Sequence, residues 1–511
     1  MLKLWLRRLL PLGIAASIII ALLALGHSLS YKANEADGFQ NVRGAYSLAR
    51  HGVIAFEGGQ GDGYAPGQYR EPLPIAALAL QIILDPRIGD DATINSLNRG
   101  KHLLYLKQHN LIWALLCLLG VALTAILMVP ERIAGQISAI VAIFLVYAFF
   151  LNNDGIIDRN YTEIQAATLM VWLGVATVLG MKRGQKKFFV MAGVFLGLLA
   201  LTKASYAYVA LGFILAMGAW HLMFPSTVKR WSETLSIVLC LFVAMAAVTL
   251  PWLIRNKIHF DVYTIAQRGG AVLYNRALQD QMTDEEFRSV LINWSPYPWR
   301  TKLIKHLGYS QKEFREGPVR RFNRNASPYS KSDRVAVSEG RPEDAVTYRM
   351  QARAERTRLR HLYRDQGFEN AASLADTEQR REAIDLIVAH PGAHMKASAA
   401  FLWRGSWMLR SDLFNSNVTS ILNAAALLSL LTLFVWGAVG GYRAAFGATL
   451  FPIGCFAFYA LATHFITRYS TPMVPSMMLS LVVLSAISIR RVAMLRATRS
   501  RLSCDAYPSQ S

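Results

Sequence analysis

The sequence predicts an all-α polytopic membrane protein: a bundle of about 10 transmembrane helices with a largely helical extracytoplasmic insert. Three observations carry this. Of 511 residues, 53% are hydrophobic and only 17% charged, and the mean hydropathy is +0.28, outside the range of soluble domains. Apolar runs recur at the length of about 20 residues that a bilayer requires. Lysine and arginine collect in alternate connections between those runs, as cytoplasmic loops do.

Taken in order, the chain opens with a basic flank (Lys3, Arg7, Arg8) and an apolar stretch reaching Leu29. It is too long for a signal-peptide core and lacks a small-x-small cleavage site, so it reads as a retained signal anchor. Spans are expected near 9–29, 109–129, 133–151, 161–181, 187–202, 204–224, 234–254, 417–437, 445–463 and 471–488. With the N-terminus cytoplasmic, the loops Glu131-Arg132, Lys182 to Lys187, Lys229-Arg230, the Arg443 turn and the Arg490 to Arg501 tail all fall inside, and each is basic. Residues 31–108, 152–160, the 203 junction, 255–416 and 464–470 then fall outside, and the C-terminus returns to the cytoplasm. The apolar run Pro72 to Leu84 is too short to cross and is expected to lie flat on the membrane surface.

Four parts follow: an N-terminal transmembrane module, 1–254, whose first outer loop is 31–108; a large loop domain, 255–416; a C-terminal transmembrane module, 417–490; and a basic tail, 491–511. Within the loop domain, helices are expected near 344–365 and 377–390, with Asp376 to Glu378 as the N-terminal cap and acidic first turn of the second.

The net charge of +21 does not indicate nucleic acid. Basic residues sit in short clusters between apolar runs, with no tandem basic-aromatic reader motif. Anionic headgroups and phosphate-bearing lipids fit this charge better. The four cysteines lie in apolar runs (Cys117, Cys240, Cys455) or in the tail (Cys504), so neither a disulfide nor a cysteine metal site is expected.

Chemistry is expected first at Asn34-Glu35-Ala36-Asp37-Gly38, just after the first span. Two carboxylates one residue apart can serve as a general base and as a site for a cation or cationic ligand; a solvated loop would also tolerate them. An amphipathic helix follows over Phe39 to Arg50, carrying Arg43 and Tyr46, then a glycine-rich stretch, Gly58 to Tyr64, and Tyr69-Arg70-Glu71-Pro72. No strand-to-helix context surrounds the glycines, so they read as a flexible loop over a site and not as a nucleotide cradle. Thr162-Glu163 opens the fourth span, Leu201-Thr202-Lys203 closes the fifth, Pro251-Trp252-Leu253-Ile254-Arg255-Asn256 ends the seventh, and His464-Phe465-Ile466-Thr467-Arg468-Tyr469 to Pro472 precedes the last. Each has a plain alternative: Lys203 a snorkelling cation, Arg255 and Arg468 interface anchors, Glu163 a buried helix-start acid. The topology nevertheless sets all of them on one side of the membrane.

This order of motifs resembles the GT-C fold membrane glycosyltransferases, in particular the family 39-like enzymes (protein O-mannosyltransferases and the lipid A aminoarabinose transferase). The resemblance covers about 1–275 and 380–490. It implies a GT-C-like bundle in the plasma (inner) membrane and a sugar donor on polyprenyl phosphate, presented from the outer leaflet. The donor phosphate would be held by Arg70, Lys203, Arg255 and Arg468. Asp37 or Glu35 would act on the acceptor hydroxyl, with Tyr46, Glu163, His464 and Tyr469 in support. The acceptor would be a glycan, a lipid or a protein. A divalent cation is compatible with the acidic pair but not required by it. His390 and His394 share helical spacing, but Pro391-Gly392 between them disfavours a metal pair. The insert is larger than the family leads one to expect and is a candidate for acceptor selection. Two other readings remain: a polymerase or ligase of lipid-linked glycans, working through arginines and a histidine of 255–416, and a transporter or flippase. Few buried charges away from the outer ends and no duplicated halves speak against the latter.

Overall fold

The computed structural model describes the chain except for residues 1, 57–64, 154, 225–229, 268, 323–327, 340, 342–343, 369 and 506–511. The expected glycine-rich loop, Gly58 to Tyr64, therefore lies wholly outside the described residues. Those described form helices and connections, with no strand among them.

Nine helices among the described residues are long and apolar enough to cross a membrane: Arg8–Ser28, Leu103–Met128, Arg132–Leu151, Glu163–Arg183, Ser205–Met223, Trp231–Phe260, Ser416–Ala438, Arg443–Ala462 and Thr467–Thr498. This is a multi-pass membrane protein. The remaining expected span, the fifth, is a shorter helix, Lys186–Thr202, of 17 residues. It still connects the two ends of the Glu163–Arg183 helix. At one end Gly180 meets Phe189, and at the other Lys203 is close enough to Glu163 to feel its charge. Its 17 residues, at 1.5 Å each, reach only about 25 Å, the lower limit for a bilayer core.

The short helix is gripped through Gly193 and Gly197, four residues apart on one face. A Cβ at Gly193 would lie 2.5 Å from Leu241 O, and one at Gly197 2.6 Å from Val248 Cβ. Only glycine permits this approach to the Arg230–Phe260 helix, the small-residue contact by which membrane helices gain packing. The Glu163–Arg183 helix is buried on most of its faces and forms the spine of the bundle. Thr177 Oγ1 donates to Gly447 O at 2.9 Å, and Trp172 Nε1 to Leu116 O at 3.0 Å.

The two ends of the bundle differ in charge. At one end the basic connections gather: Arg490 Nε lies 3.3 Å from Glu131 Oε1, Arg491 stacks over Trp436, and Tyr442 OH donates to Met128 O. The opposite end carries Asp37, Glu163, Lys203 and Arg468, together with the Ala36–His51 and Pro72–Leu84 helices. Those two pack on each other through a small core of their own, with Val42, Ala45, Ile75, Leu78 and Ile82 buried. Leu80, Ile83 and Leu84 face outward from the second helix.

The insert is helical, as expected, but one detail needs correction. Its helices include Tyr348–Asp365 and Ala371–Ala389. The latter begins six residues before the expected start, so Asp376 is buried inside it and does not cap it. Asp376 instead accepts from Gly270 N and Ala271 N, both at 3.0 Å, and caps the Gly269–Gln279 helix. A carboxylate at a helix N-terminus was the right device assigned to the wrong helix, because the partner lies 106 positions away.

Candidate active site

Asp37 is placed by a turn that the local sequence makes possible. Gly38 N donates to Glu35 O at 3.0 Å, opening the Ala36–His51 helix. Ala36 takes φ of +45°, a left-handed value that costs a residue with a Cβ about 1–2 kcal/mol. The turn is fastened to the connection before the Glu163–Arg183 helix. Asn34 Oδ1 accepts from Asn160 N at 2.9 Å, and Asn41 Nδ2 donates to Asn160 O at 3.0 Å. A second fastening lies behind it. The fully buried Lys107 donates to Ser30 O, Lys32 O and Asp158 Oδ1 at 2.7–2.8 Å, while Asp158 also accepts from Ser30 N and Oγ.

So held, the Asp37 carboxylate sits between two guanidiniums. Arg70 Nη1 donates to Oδ1 at 2.8 Å and Arg468 Nη2 to Oδ2 at 2.5 Å. Arg70 is aimed by Asn41, whose Oδ1 accepts from its Nε at 3.3 Å. Arg468 Nε lies 3.0 Å from Glu163 Oε1, and its guanidinium stacks over Tyr161 at 4.9 Å. Glu163 is nearly buried, its side chain 3% exposed, whereas Asp37 keeps 25%. Of the two carboxylates that Arg468 meets, Asp37 is therefore the one with access.

Lys203 stands at the junction of the Lys186–Thr202 and Ser205–Met223 helices, its ammonium 4.1 Å above the Tyr469 ring, 5.0 Å from Tyr459 and 5.9 Å from Tyr206. Rings solvate an ammonium less well than water. Burial therefore lowers the pKa of Lys203 to about 8, partly opposed by Glu163 and reinforced by the positive charge of Arg468. Glu71 completes the group, its Oε1 accepting from Ala204 N at 3.3 Å and its Oε2 4.0 Å from Arg70 Nε. Three cations thus face three carboxylates, with Lys203 held on aromatic faces.

The structure unites Asp37, Arg70, Lys203, Glu163, Arg468 and Tyr469, the last through its ring under Lys203. Glu35 stands apart: it is exposed, and among the described residues its carboxylate has no ion-pair partner. Tyr46 packs in the small helix-pair core, edge-on to His51 at 6.1 Å. His464 is buried, its ring 5.5 Å from Tyr469 and its carbonyl accepting from Arg404 Nη1 at 3.2 Å. Arg255 does not join the cluster by any ion pair. Its Nη1 donates to Gly67 O at 2.9 Å and Asn256 Oδ1 at 2.7 Å, under Trp252. With Gln267 N donating to Gln68 O, it steadies the segment that ends at Arg70.

Among the described residues no group of three or more histidine, cysteine or acidic side chains gathers as a metal ion would need. His394 Nδ1 lies 2.9 Å from Asp280 Oδ2, within a buried network with Arg276 and Ser398.

Asn34, Asn41, Asn160, Lys107 and Asp158 were not anticipated. The run Asp158-Arg159-Asn160-Tyr161, polar between two spans, was the available signal, but nothing in it names a partner more than a hundred positions away.

No protein-family profile matches the sequence, and no curated protein matches it. Solved structures do match along most of the chain. The Archaeoglobus fulgidus oligosaccharyltransferase AglB, in complex with an inhibitory peptide and a dolichol-phosphate, is 13% identical over 98% of this chain and 52% of its own, with a TM-score of 0.45. The same organism's oligosaccharyltransferase tethered to an acceptor peptide is 12% identical over 95% and 50%, at 0.47. ArnT from Cupriavidus metallidurans, bound to undecaprenyl phosphate, is 11% identical over 93% and 77%, at 0.36. The chain spans about half the length of the two oligosaccharyltransferase chains.

Proposed function

We propose that this protein is a membrane glycosyltransferase that moves a sugar from a polyprenyl-phosphate donor to an acceptor hydroxyl at the extracytoplasmic mouth of the bundle. The observation that carries this reading is the Asp37 carboxylate clamped by Arg70 and Arg468, beside Lys203. It supports the reading because one accessible carboxylate, suited to act as a base, and three cations, suited to hold phosphate, share one shell. The motif order resembling GT-C transferases supports the same reading. The basic loops gathered at the other end support a cytoplasmic placement of both termini.

In this reading the donor phosphate competes for Arg468 and Lys203. Arginine matches phosphate oxygens with two parallel donors, and lysine supplies a point charge. As Arg468 turns to the phosphate, an Asp37 oxygen is released to accept from the acceptor hydroxyl. The hydroxyl oxygen then attacks the anomeric carbon, the bond from that carbon to the phosphate oxygen breaks, its electron pair leaves with the polyprenyl phosphate, and the proton passes to Asp37. One displacement inverts the anomeric centre. Glu163 keeps Arg468 oriented, and Arg255 steadies the Arg70 segment. The insert, 255–416, serves acceptor selection.

The test is transfer of radiolabelled sugars from a panel of polyprenyl-phosphate sugars into membrane extracts, with Asp37→Asn and Glu35→Gln at matched protein levels. Loss of a general base lowers a rate by about 10²- to 10⁴-fold, so Asp37→Asn should fall in that range and Glu35→Gln stay near wild type. Full activity in Asp37→Asn would remove the clamp from the chemistry and favour a glycan polymerase or ligase working through the arginines of the insert.

A further inference from the structure

Beside the Asp37 cluster lies a second cationic feature that the transfer step above does not use. It is a cleft of about 830 Å³ between the insert and the start of the Ser416–Ala438 helix, into which Arg300, Arg315, Arg404 and Arg410 all project. Asp412 is the one carboxylate among its lining residues. The volume is that of a pocket for a ligand of a few rings.

We propose that this cleft seats the anionic groups of the acceptor, a glycan or glycolipid carrying phosphate or carboxylate groups. Naming the occupant as acceptor rests on the transferase reading; the oxyanion site itself does not.

Charge is the first argument. Arg300 is half-buried, and its pKa is lowered first by burial and then by repulsion from Arg315 and Arg410. Its Nε is buried and, among the described residues, has no hydrogen-bond partner. Like charges brought together and partly desolvated are unfavourable unless a counter-anion joins them, and guanidiniums match oxyanions with paired donors. Four of them also exceed the need of a polyprenyl-linked sugar phosphate, a diester of single charge that Arg468 and Lys203 suffice to hold. They suit a ligand with several negative charges.

Position is the second argument. Ile466 and Thr467 line the cleft, and the next residue, Arg468, binds Asp37. The cleft wall and the arginine that binds the base are thus adjacent in the chain, their Cα atoms about 3.8 Å apart. Arg404 is fixed in this wall, donating to His464 O at 3.2 Å and stacking on Trp294 at 4.7 Å. Trp294, Tyr297 and Trp407 supply aromatic surface along the cleft, on which the apolar faces of a sugar chain can lie. An acceptor anchored here by its charges presents a hydroxyl at Asp37.

The experiment uses the full chain in detergent micelles and two probes, inorganic triphosphate and farnesyl monophosphate, with binding read by calorimetry on wild type, Arg300→Gln/Arg410→Gln and Arg410→Gln alone. Triphosphate is expected to bind wild type and to weaken by about 10-fold or more in the double variant, the loss of charge-assisted hydrogen bonds. Farnesyl monophosphate binding is expected to stay unchanged. Arg410 is exposed, so its single variant keeps the fold and should weaken triphosphate several-fold if the double variant does not express. Triphosphate binding that is absent, or equal in all three proteins, overturns the site. Loss of farnesyl monophosphate in the cleft variants overturns the acceptor assignment and gives the cleft to the donor. Arginine-dependent triphosphate binding in a protein that transfers no sugar supports the site while failing the transferase reading.

Discussion

Asp37 and Arg468 stand 431 positions apart in sequence and 2.5 Å apart in space, Oδ2 to Nη2. Arg468 also holds the nearly buried Glu163 at 3.0 Å, so it links the accessible carboxylate to one deep in the bundle.

Removing Arg468 should therefore harm stability more than removing Asp37. Arg468→Gln leaves the nearly buried Glu163 with Lys203 as its remaining cation, a loss below the ~3–5 kcal/mol of a fully buried pair because Arg468 is itself 37% exposed. Adding Glu163→Gln should recover part of this, while Asp37→Asn alone should cost less because its carboxylate is partly exposed. Thermal unfolding of the three variants checks the order; an Arg468→Gln/Glu163→Gln protein no more stable than Arg468→Gln would contradict it.

Lys203, with a pKa of about 8 in the folded protein against 10.5 ordinarily, should show two opposite pH effects. Between pH 8 and 10.5 the unfolded chain binds this proton more than the folded one, so the contribution of Lys203 to stability rises with pH through that window. Donor binding should move the other way, since the ammonium that meets the phosphate is lost above about pH 8. The KM for donor, measured from pH 6.5 to 9.5, should climb in wild type, and the rise attributable to this residue should vanish in Lys203→Arg.

Ala36 pays for its left-handed φ of +45° at the residue that turns Asp37 into the site. Ala36→Gly should leave stability within about 1 kcal/mol, relief of strain offsetting glycine's greater chain entropy. Ala36→Val should lower both the melting temperature and the transfer rate, because a branched Cβ tolerates this backbone poorly. Equal behaviour of the two variants would show that the turn is not under this constraint.

Gly193 tests the helix contact that holds the short span. A Cβ there would lie 2.5 Å from Leu241 O, and backbone cannot rotate away as a side chain can. Gly193→Leu should destabilise by at least the 1–3 kcal/mol typical of overpacking, and Gly212→Leu, with nothing within 4 Å of its Cβ position, should be near neutral. Circular-dichroism melting curves distinguish them.

Much of the site's membership was legible. Asp37, Arg70, Glu163, Lys203, Arg468 and Tyr469 all come together, because each flanks an apolar run and the runs set one end of the bundle. The grouping of Glu35 with Asp37 was not legible: residues one apart point different ways once Ala36 starts a helix. Arg255 shared the same signature as Arg468, yet its guanidinium is spent on the Gly67 carbonyl. The Asp376 cap was misassigned because a carboxylate next to helical residues looks the same whichever helix it serves.

By itself the sequence determined the all-helical, membrane-crossing architecture, the short apolar helix Pro72–Leu84 and the end of the bundle at which acids and cations meet. These are local quantities: apolar length against bilayer thickness, and the placement of charge beside each run. Only the tertiary structure decided which cation binds which carboxylate, that Lys203 rests on tyrosine rings, and that four arginines of a remote insert converge behind Arg468. Pairings of this kind depend on distances of a few ångströms between segments up to 431 positions apart, set by how helices pack and not by any property of the residues taken one at a time.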